Sequence, residues 1–153
     1  MRKTASIAAL LLPLGLVWLG HADAAAPSGR YTLTVGTALD TRTGLEWVRD
    51  NSSGNADFAA ATQYCATLNL EGTGWRVPTV KELLSIVDDG ATTSPVVDST
   101  VFPMTKSGRY WSTTPVDCNG TCDAATQRWT VHFGSGDNGN SPLDELAPVR
   151  CVR

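Results

Sequence analysis

Alternating hydrophobic and polar residues predict strands near both ends of the chain, with helical spacing between them. In the segment YTLTV, Tyr31, Leu33 and Val35 alternate with threonines, which predicts a strand with one buried face. The polar residues 40–44 then separate two short apolar pieces, as in a hairpin. Towards the C-terminus, RYWSTTPV and RWTVHF predict two strands joined by a CNGTC turn, and APVRCVR predicts a closing strand.

Two segments between these strands have apolar residues at helical spacing. The first is predicted to begin after the N-cap residue Asp57 and to bury a face formed by Phe58, Ala61, Cys65 and Leu68. The second is predicted to begin with a capping box of Thr79 and Glu82 and to end near residues 88–90. Its buried side is expected to consist of Val80, Leu83, Leu84 and Val87. Arg76, just before this helix, is expected to pair with a carboxylate.

Two long segments, residues 91–107 and 134–146, lack a periodic pattern and are predicted to be loops. The first contains apolar residues that are expected to touch the core, namely Val96, Val97, Phe102 and Met104. Strands, two helices and strands again follow one another without a regular strand–helix alternation. This order favours an α+β fold with an antiparallel sheet, formed as a single domain over residues 31–153 after a short lead at 25–30.

The first 24 residues have the pattern of a secretory signal peptide. Arg2 and Lys3 precede an apolar run over residues 5–20, and Ala22 and Ala24 are the small residues that signal peptidase requires. Cleavage is expected after Ala24, which predicts a secreted or periplasmic protein. The apolar run is short and interrupted by proline and glycine, so no membrane insertion is expected.

The charge of the mature chain argues against a nucleic-acid partner. The whole chain has 12 basic and 15 acidic residues, and loss of Arg2, Lys3 and Asp23 with the signal peptide leaves 10 and 14. A mildly acidic protein without a basic tract has little attraction for a phosphate backbone.

The four cysteines of an exported chain predict disulfides, for which three pairings exist. Cys118 and Cys122 enclose only Asn-Gly-Thr, a turn-forming sequence, so the simplest assignment joins these two and pairs Cys65 with Cys151. The second bridge would close a long loop, which is worth roughly 4 kcal/mol in chain entropy. Structural zinc is disfavoured, because the mature chain has one histidine, His132, and no CxxC motif.

Several motifs together resemble the Lcl C-terminal domain family, which is named after the last domain of a bacterial collagen-like adhesin. They are LDTRTGLEWVRD, GWRVPTVKEL, RYWSTT, RWTVHFGSG and VRCVR, and they occur between about residue 34 and residue 153. The resemblance implies a C-type-lectin-like fold, with two helices packed on a twisted antiparallel sheet and long loops. It also implies the Cys65–Cys151 pairing.

The resemblance to the adhesin that gives the family its name implies binding of sulfated or other extracellular polysaccharide. In that adhesin, trimers are assembled by a collagen stalk. This chain has no Gly-X-Y repeat, so its oligomeric state stays open. Sulfate groups are recognised by basic side chains, and the candidates here are Lys106, Arg109 and Arg128, with Tyr110 or Trp111 as stacking surfaces. All the tryptophans in apolar-patterned segments are nevertheless expected to pack in the core: Trp47, Trp75, Trp111 and Trp129.

A second candidate set lies in the polar segment 134–146. Asp137, Asn138 and Asn140 could bind a glycan directly, and the oxygen atoms of Asp137, Asn138, Asp144 and Glu145 are of the type that calcium prefers. The Glu-Pro-Asn, Gln-Pro-Asp and Trp-Asn-Asp triplets of calcium-dependent lectins are absent. Calcium therefore stays an alternative, and no other cofactor is expected.

Two other functional classes remain open. A formylglycine-generating oxidoreductase shares the lectin-like architecture but needs accessible copper-binding thiols, and a structural subunit of an envelope assembly would expose an apolar patch. A serine hydrolase is disfavoured, because His132, Ser135 and Asp137 lie in one short segment and no GxSxG motif occurs. The sequence thus predicts a non-enzymatic binding module that recognises an extracellular glycan or a surface protein through residues 91–107 and 134–146.

Overall fold

The computed structural model describes residues 26–50, 53–117 and 125–153. The predicted signal peptide and the predicted Cys118–Cys122 disulfide lie outside these residues. The described chain has an α+β fold with two short helices and two antiparallel three-stranded sheets, where one sheet was expected. None of the described helices is long and apolar enough to cross a membrane.

The first sheet contains, in spatial order, β1 (Tyr31–Leu33), β2 (Thr37–Asp40) and β3 (Glu46–Val48). The predicted hairpin between β2 and β3 is confirmed, since the amide of Asp40 donates to the carbonyl of Leu45 at 2.8 Å. Gly44 in this turn has a φ of 72°, a conformation that glycine adopts without strain.

The predicted buried face of β1 is confirmed at Tyr31, which is half-buried and packs against the core, but is wrong at Leu33 and Val35. β1 is an edge strand of three residues, Leu33 is exposed, and Val35 has 97% of its surface exposed. The chain turns back at once after β1, because the amide of Thr34 donates to the carbonyl of Thr37 at 2.9 Å. Val35 consequently lies in a turn and not on a strand.

Both helices begin where their capping residues predict. Asp57 caps α1 (Phe58–Thr67) by accepting from the amide of Ala60 at 2.8 Å, and Ala61 and Cys65 are buried. Thr79 and Glu82 form the capping box of α2 (Val80–Ser85).

The end of α2 and part of its buried side differ from the prediction. Leu83 is buried, but Leu84 is exposed, because only one side of this six-residue helix contacts the second sheet. The helix ends at Ser85 and not near residues 88–90. The amide of Asp88 donates to the carbonyl of Val96 at 2.9 Å, so the chain leaves the helix to pair with the following loop.

The second sheet contains β4 (Arg109–Pro115), β5 (Gln127–His132) and β6 (Asn138–Pro142), in that order. β4 and β5 confirm two predicted strands, whereas β6 lies in the predicted loop 134–146 and corrects it. Because β6 is an edge strand rich in asparagine, backbone pairing and not apolar alternation holds it. Asn138 lies opposite Val131, and Asn140 lies opposite Trp129.

The C-terminal segment 147–153 is extended but forms isolated bridges in place of the predicted closing strand. Val152 pairs with Trp47 on one side and with Arg76 on the other. The two backbone hydrogen bonds between Val152 and Arg76 are both 2.9 Å long. The Cys65–Cys151 disulfide confirms the predicted pairing and joins α1 to this segment, with a Cα–Cα distance of 5.5 Å. The segment therefore lies between the first sheet and the approach to α2.

Two core clusters are associated with opposite faces of the second sheet. Tyr110 and Val131, directly opposite one another on β4 and β5, belong to a cluster with Leu83 of α2. Trp111, whose side chain points the other way, belongs to a cluster with Cys65 of α1. The predicted core positions of Trp47, Trp75 and Trp111 are confirmed, whereas Trp129 is only half-buried.

Candidate functional site

The two predicted loop segments, residues 91–107 and 134–146, meet at one end of the second sheet. The amide of Val96 donates to the carbonyl of Phe133 at 2.7 Å, and the amide of Phe133 donates to the carbonyl of Gly108 at 2.9 Å. The turn after β5 is therefore held against the preceding loop at Val96 and just beyond the loop's C-terminal end, at Gly108.

The segment 91–107 is attached to the core through Val97 and Phe102, which are buried as predicted. Met104 was expected to touch the core but has 60% of its surface exposed. The amide of Thr105 donates to the carbonyl of Phe102 at 3.3 Å, which closes a turn and places Met104 on its outside.

Two arginines anchor this segment through hydrogen bonds. Nε and Nη2 of Arg49 donate to the carbonyls of Val101 and Thr100, at 3.0 and 3.1 Å. Nη2 of Arg150 donates to the hydroxyl of Thr105 at 2.7 Å. The long segment is thus a fixed surface, which reduces the entropy lost when it binds a ligand.

Arg150, which was not among the predicted site residues, has only 1% of its surface exposed. Nη1 donates to the carbonyls of Val48 and Arg49 at 2.6 and 2.8 Å, and the guanidinium carbon lies 4.7 Å from the ring centre of Phe102. Burial lowers the pKa of Arg150 to about 10, because desolvation disfavours its charged form. A guanidinium enclosed in this way stabilises the fold and offers no surface to a ligand.

Arg109 is the predicted basic residue that is best placed for binding. Its side chain is exposed and crosses the sheet, where Nη1 lies 3.5 Å from Oγ1 of Thr130 and next to Gly139 of β6. A Cβ at Gly139 would collide with this guanidinium, so the glycine is what allows the close approach. Among the described residues, no carboxylate pairs with Arg109 or with the exposed Lys106.

Arg128 lies on the same face of the second sheet as Arg109. It is half-buried, with its guanidinium carbon 5.0 Å from the ring centre of Phe58 and Nη1 donating to the carbonyl of Gln127 at 2.8 Å. Thr130, beneath the guanidinium of Arg109, is two residues from Arg128, or about 7 Å along the strand. The term basic face is used below for the side of this sheet that carries Arg109, Arg128 and His132.

His132 lies directly opposite Arg109 on this face. Its Nδ1 accepts from the amide of Gly134 at 3.1 Å and lies 3.3 Å from the hydroxyl of Ser135. Asp137 approaches His132 through its backbone carbonyl, which accepts from the histidine amide at 2.7 Å. These contacts close a turn, and they do not form the serine–histidine–aspartate relay of a hydrolase.

The two predicted stacking residues are not available to a ligand. Tyr110 and Trp111 are both fully buried, so the prediction that either ring stacks on a sugar is wrong. The hydroxyl of Tyr110 accepts from the amide of Lys106 at 2.9 Å, and burial raises its pKa. The indole of Trp111 donates to the carbonyl of Ala56 at 2.8 Å. Both rings interlock elements of the core, which was expected of Trp111 but not of Tyr110.

The second predicted set is separated from the basic residues by the sheet itself. Asn138 and Asn140 lie opposite Val131 and Trp129, so their side chains point to the side away from Arg109. Both are exposed, as is Asp137 in the turn before them. The predicted glycan-binding residues therefore form two surfaces and not one.

The predicted calcium ligands do not come together. Asp137 and Asn138 lie at the start of β6, whereas Asp144 and Glu145 lie beyond its end in the following turn. The five residues of β6 span about 13 Å, which is too far for one coordination shell of about 2.5 Å radius. Within the described part of the chain, no group of three or more acidic, histidine or cysteine side chains could hold a metal ion.

A separate cavity of about 200 Å³ lies between the N-terminal segment and the end of α2. Asp98, on its wall, accepts from the amide of Ala26 at 2.8 Å, and Arg30 pairs with the buried Asp40 at 2.7 Å. Burial raises the pKa of Tyr31, another wall residue, to about 12. Because its main charged groups already have partners, this cavity is a weaker candidate than the basic face.

The fold and site define a small disulfide-stapled α+β domain with a fixed loop surface and a basic sheet face. The family model of the Lcl C-terminal domain matches residues 36–153. The chain therefore belongs to the Lcl C-terminal domain family, as its motifs predicted. A search of curated proteins finds no match to it.

Proposed function

We propose that this domain is an exported, non-enzymatic binding module with a C-type-lectin-like fold, and that its basic face recognises an anionic extracellular glycan such as a sulfated polysaccharide. One observation carries the proposal: Arg109 is exposed, has no carboxylate partner among the described residues, and is held against the sheet at Gly139. A guanidinium fixed in this way can donate to sulfate oxygens with little further loss of side-chain entropy.

Other features support an extracellular or periplasmic binding role. The buried Cys65–Cys151 disulfide is typical of proteins that fold in oxidising compartments. It also occupies both cysteines, so these two are not accessible thiols of the kind a formylglycine-generating oxidoreductase needs. A structural subunit is expected to expose an apolar patch, and the exposed Leu33 and Leu39 do not form one together, because the strand register directs them to opposite faces of the first sheet.

The proposal is tested by binding to dextran sulfate, with unsulfated dextran as the uncharged control. Arg109→Ala is expected to weaken binding by about 10- to 100-fold, since a charge-assisted hydrogen bond is worth about 1.5–3 kcal/mol. Arg42→Ala is the matched control. Arg42 is exposed in the hairpin of the first sheet, so this substitution removes the same charge at a position away from the basic face. Equal losses in both variants, or no binding of either polymer, would contradict a specific site at Arg109.

Repeating the measurement with calcium and with a chelator tests the alternative cofactor. The basic face supplies its own cations, so the affinity of the wild-type protein is expected to be the same in both conditions. A requirement for calcium would instead point to Asp137 or its neighbours as the binding residues.

A further inference from the structure

Trp129 differs from the other tryptophans of the described chain. Trp47, Trp75 and Trp111 have at most 3% of their surface exposed, whereas Trp129 is half-buried and belongs to neither core cluster. The indole N–H of Trp75 donates to two backbone carbonyls, and that of Trp111 donates to one. Among the described residues, no group accepts from the indole N–H of Trp129, and this nitrogen is not one of the buried unpaired atoms.

The neighbours of Trp129 on its side of the sheet are amides. Asn140 lies directly opposite it on β6, and Asn140 Nδ2 donates to Oε1 of Gln127 at 2.7 Å. Asn138, two residues before Asn140, points to the same side and is exposed. The name amide face is used below for the surface formed by Gln127, Trp129, Asn138 and Asn140.

This combination matches the chemistry of an uncharged sugar. The flat, partly exposed indole can pack against the C–H groups on one face of a pyranose ring, and side-chain amides provide both donors and acceptors for its hydroxyl groups. The bond between Asn140 and Gln127 fixes two of the amides but leaves one oxygen and further N–H groups of this pair free.

Charge separates this surface from the basic face. None of the strand residues that point to this side carries a charge. On β5 they are Gln127, Trp129 and Val131, and on β6 they are Asn138, Asn140 and Pro142. The basic residues Arg128 and His132 alternate with them and point the other way. A sulfated ligand would find no cation on the amide face, whereas a neutral sugar needs none.

We propose that the amide face is a second saccharide-binding surface, which takes uncharged pyranose units by stacking them on Trp129 and hydrogen-bonding them to Asn138 and Asn140. It does not depend on the basic face, which lies on the opposite side of the same sheet and binds a different class of ligand. Because the surface is shallow and formed by only two strands, a single site binds weakly, at millimolar concentration.

The first experiment uses Trp129 as its own probe. Acrylamide quenching of the mature protein should reach one accessible tryptophan, because the other three are buried. Trp129→Phe should remove this accessible fraction, and a bound sugar should protect it in the wild type. Cello-, chito- and manno-oligosaccharides serve as uncharged probes, titrated up to millimolar concentration.

The second experiment measures affinity in variants of the full chain. Trp129→Ala should weaken binding of the responding oligosaccharide by about tenfold or more, Trp129→Phe should retain part of it, and Asn140→Ala should weaken it by about threefold to tenfold. Leu39→Ala, which truncates an exposed apolar residue on the other sheet, is the control and should change nothing. Added salt should leave the affinity unchanged, because no ion pair is involved.

The outcomes separate this proposal from the one for the basic face. If none of the oligosaccharides protects Trp129, or if Trp129→Ala binds as well as the wild type, the amide face is not a sugar site. If binding falls with salt and is lost in Arg109→Ala but not in Trp129→Ala, only the basic face binds glycans. If Trp129→Ala loses the neutral sugar while Arg109→Ala retains it, the second surface is established even where dextran sulfate does not bind.

Discussion

The ion pair between Arg76 and Glu82 makes the stability of the domain depend on pH. Oε1 of Glu82 accepts from Nη2 of Arg76 at 2.7 Å, and Oε2 accepts from Nη1 at 2.9 Å and from the amide of Thr79 at 2.7 Å. The hydrogen bonds from Arg76 are the main reason that the pKa of Glu82 falls from 4.5 to about 2. Glu82→Gln isolates the charge, because glutamine can still complete the capping box.

The expected loss at neutral pH is about 1–2 kcal/mol. A difference of 2.5 between the folded and unfolded pKa of Glu82 would correspond to about 3.4 kcal/mol. That figure is an upper bound, because the side chain of Arg76 is 46% exposed and water screens the pair. The folded pKa lies below the unfolded value, so the contribution is complete above pH ~4.5 and is lost as the pH falls from ~4.5 towards ~2.

Urea denaturation of the wild type and Glu82→Gln at several pH values between ~7 and ~3 measures this effect. The difference between their free energies of unfolding should be constant near neutral pH and shrink below pH ~4.5, because glutamine does not ionise. Glu145→Gln removes the same charge from an exposed turn and should change stability by less than about 0.5 kcal/mol. A Glu82→Gln effect that does not vary with pH, or that is no larger than the control, would refute the assignment.

Two further predictions concern the disulfide and the glycine beneath Arg109. Replacing both Cys65 and Cys151 by alanine should lower the free energy of unfolding by about 4 kcal/mol, because the bridge links residues that are 86 positions apart. Urea denaturation measures this loss, and a value below about 1 kcal/mol would contradict the prediction. Gly139→Ala should displace the guanidinium of Arg109 and weaken dextran sulfate binding by about fivefold, or about 1 kcal/mol. The melting temperature of Gly139→Ala should stay close to that of the wild type, because the flexible end of the Arg109 side chain can move. Unchanged dextran sulfate binding by this variant would show that the observed position of Arg109 is not needed.

The features that could be predicted from the sequence are those set by short-range chemistry. The starts of both helices follow from side chains that cap amides three residues away, as with Asp57 and Thr79. The hairpin after β2 follows from its polar turn and Gly44. The pairing of Arg76 with a carboxylate is confirmed, but the partner is the capping residue Glu82, so one side chain performs two functions.

The features that could not be predicted depend on what covers each strand. Alternation with Val131 correctly places Trp129 on one side of β5 but does not tell where the covering helix ends. β6 has no apolar pattern, because its partner strand and not a core holds it. Arg150 is enclosed by carbonyls about 100 positions earlier in the chain, a contact that local patterns do not contain.

The C-terminal segment sets the order in which this domain can form. Residues 150–153 supply contacts that cross most of the chain, since Arg150 reaches back 102 positions to Val48 and Arg153 reaches back 107 positions to Glu46. In a growing chain that has emerged only as far as Pro148, Trp47 can pair with Ala38 of β2 but not with Val152, and Cys65 has no disulfide partner. Contacts of such long range form late, so we expect the domain to remain open until residues 150–153 appear. For the exported protein proposed above, this delay would keep the domain from closing before residues 150–153 have crossed the membrane.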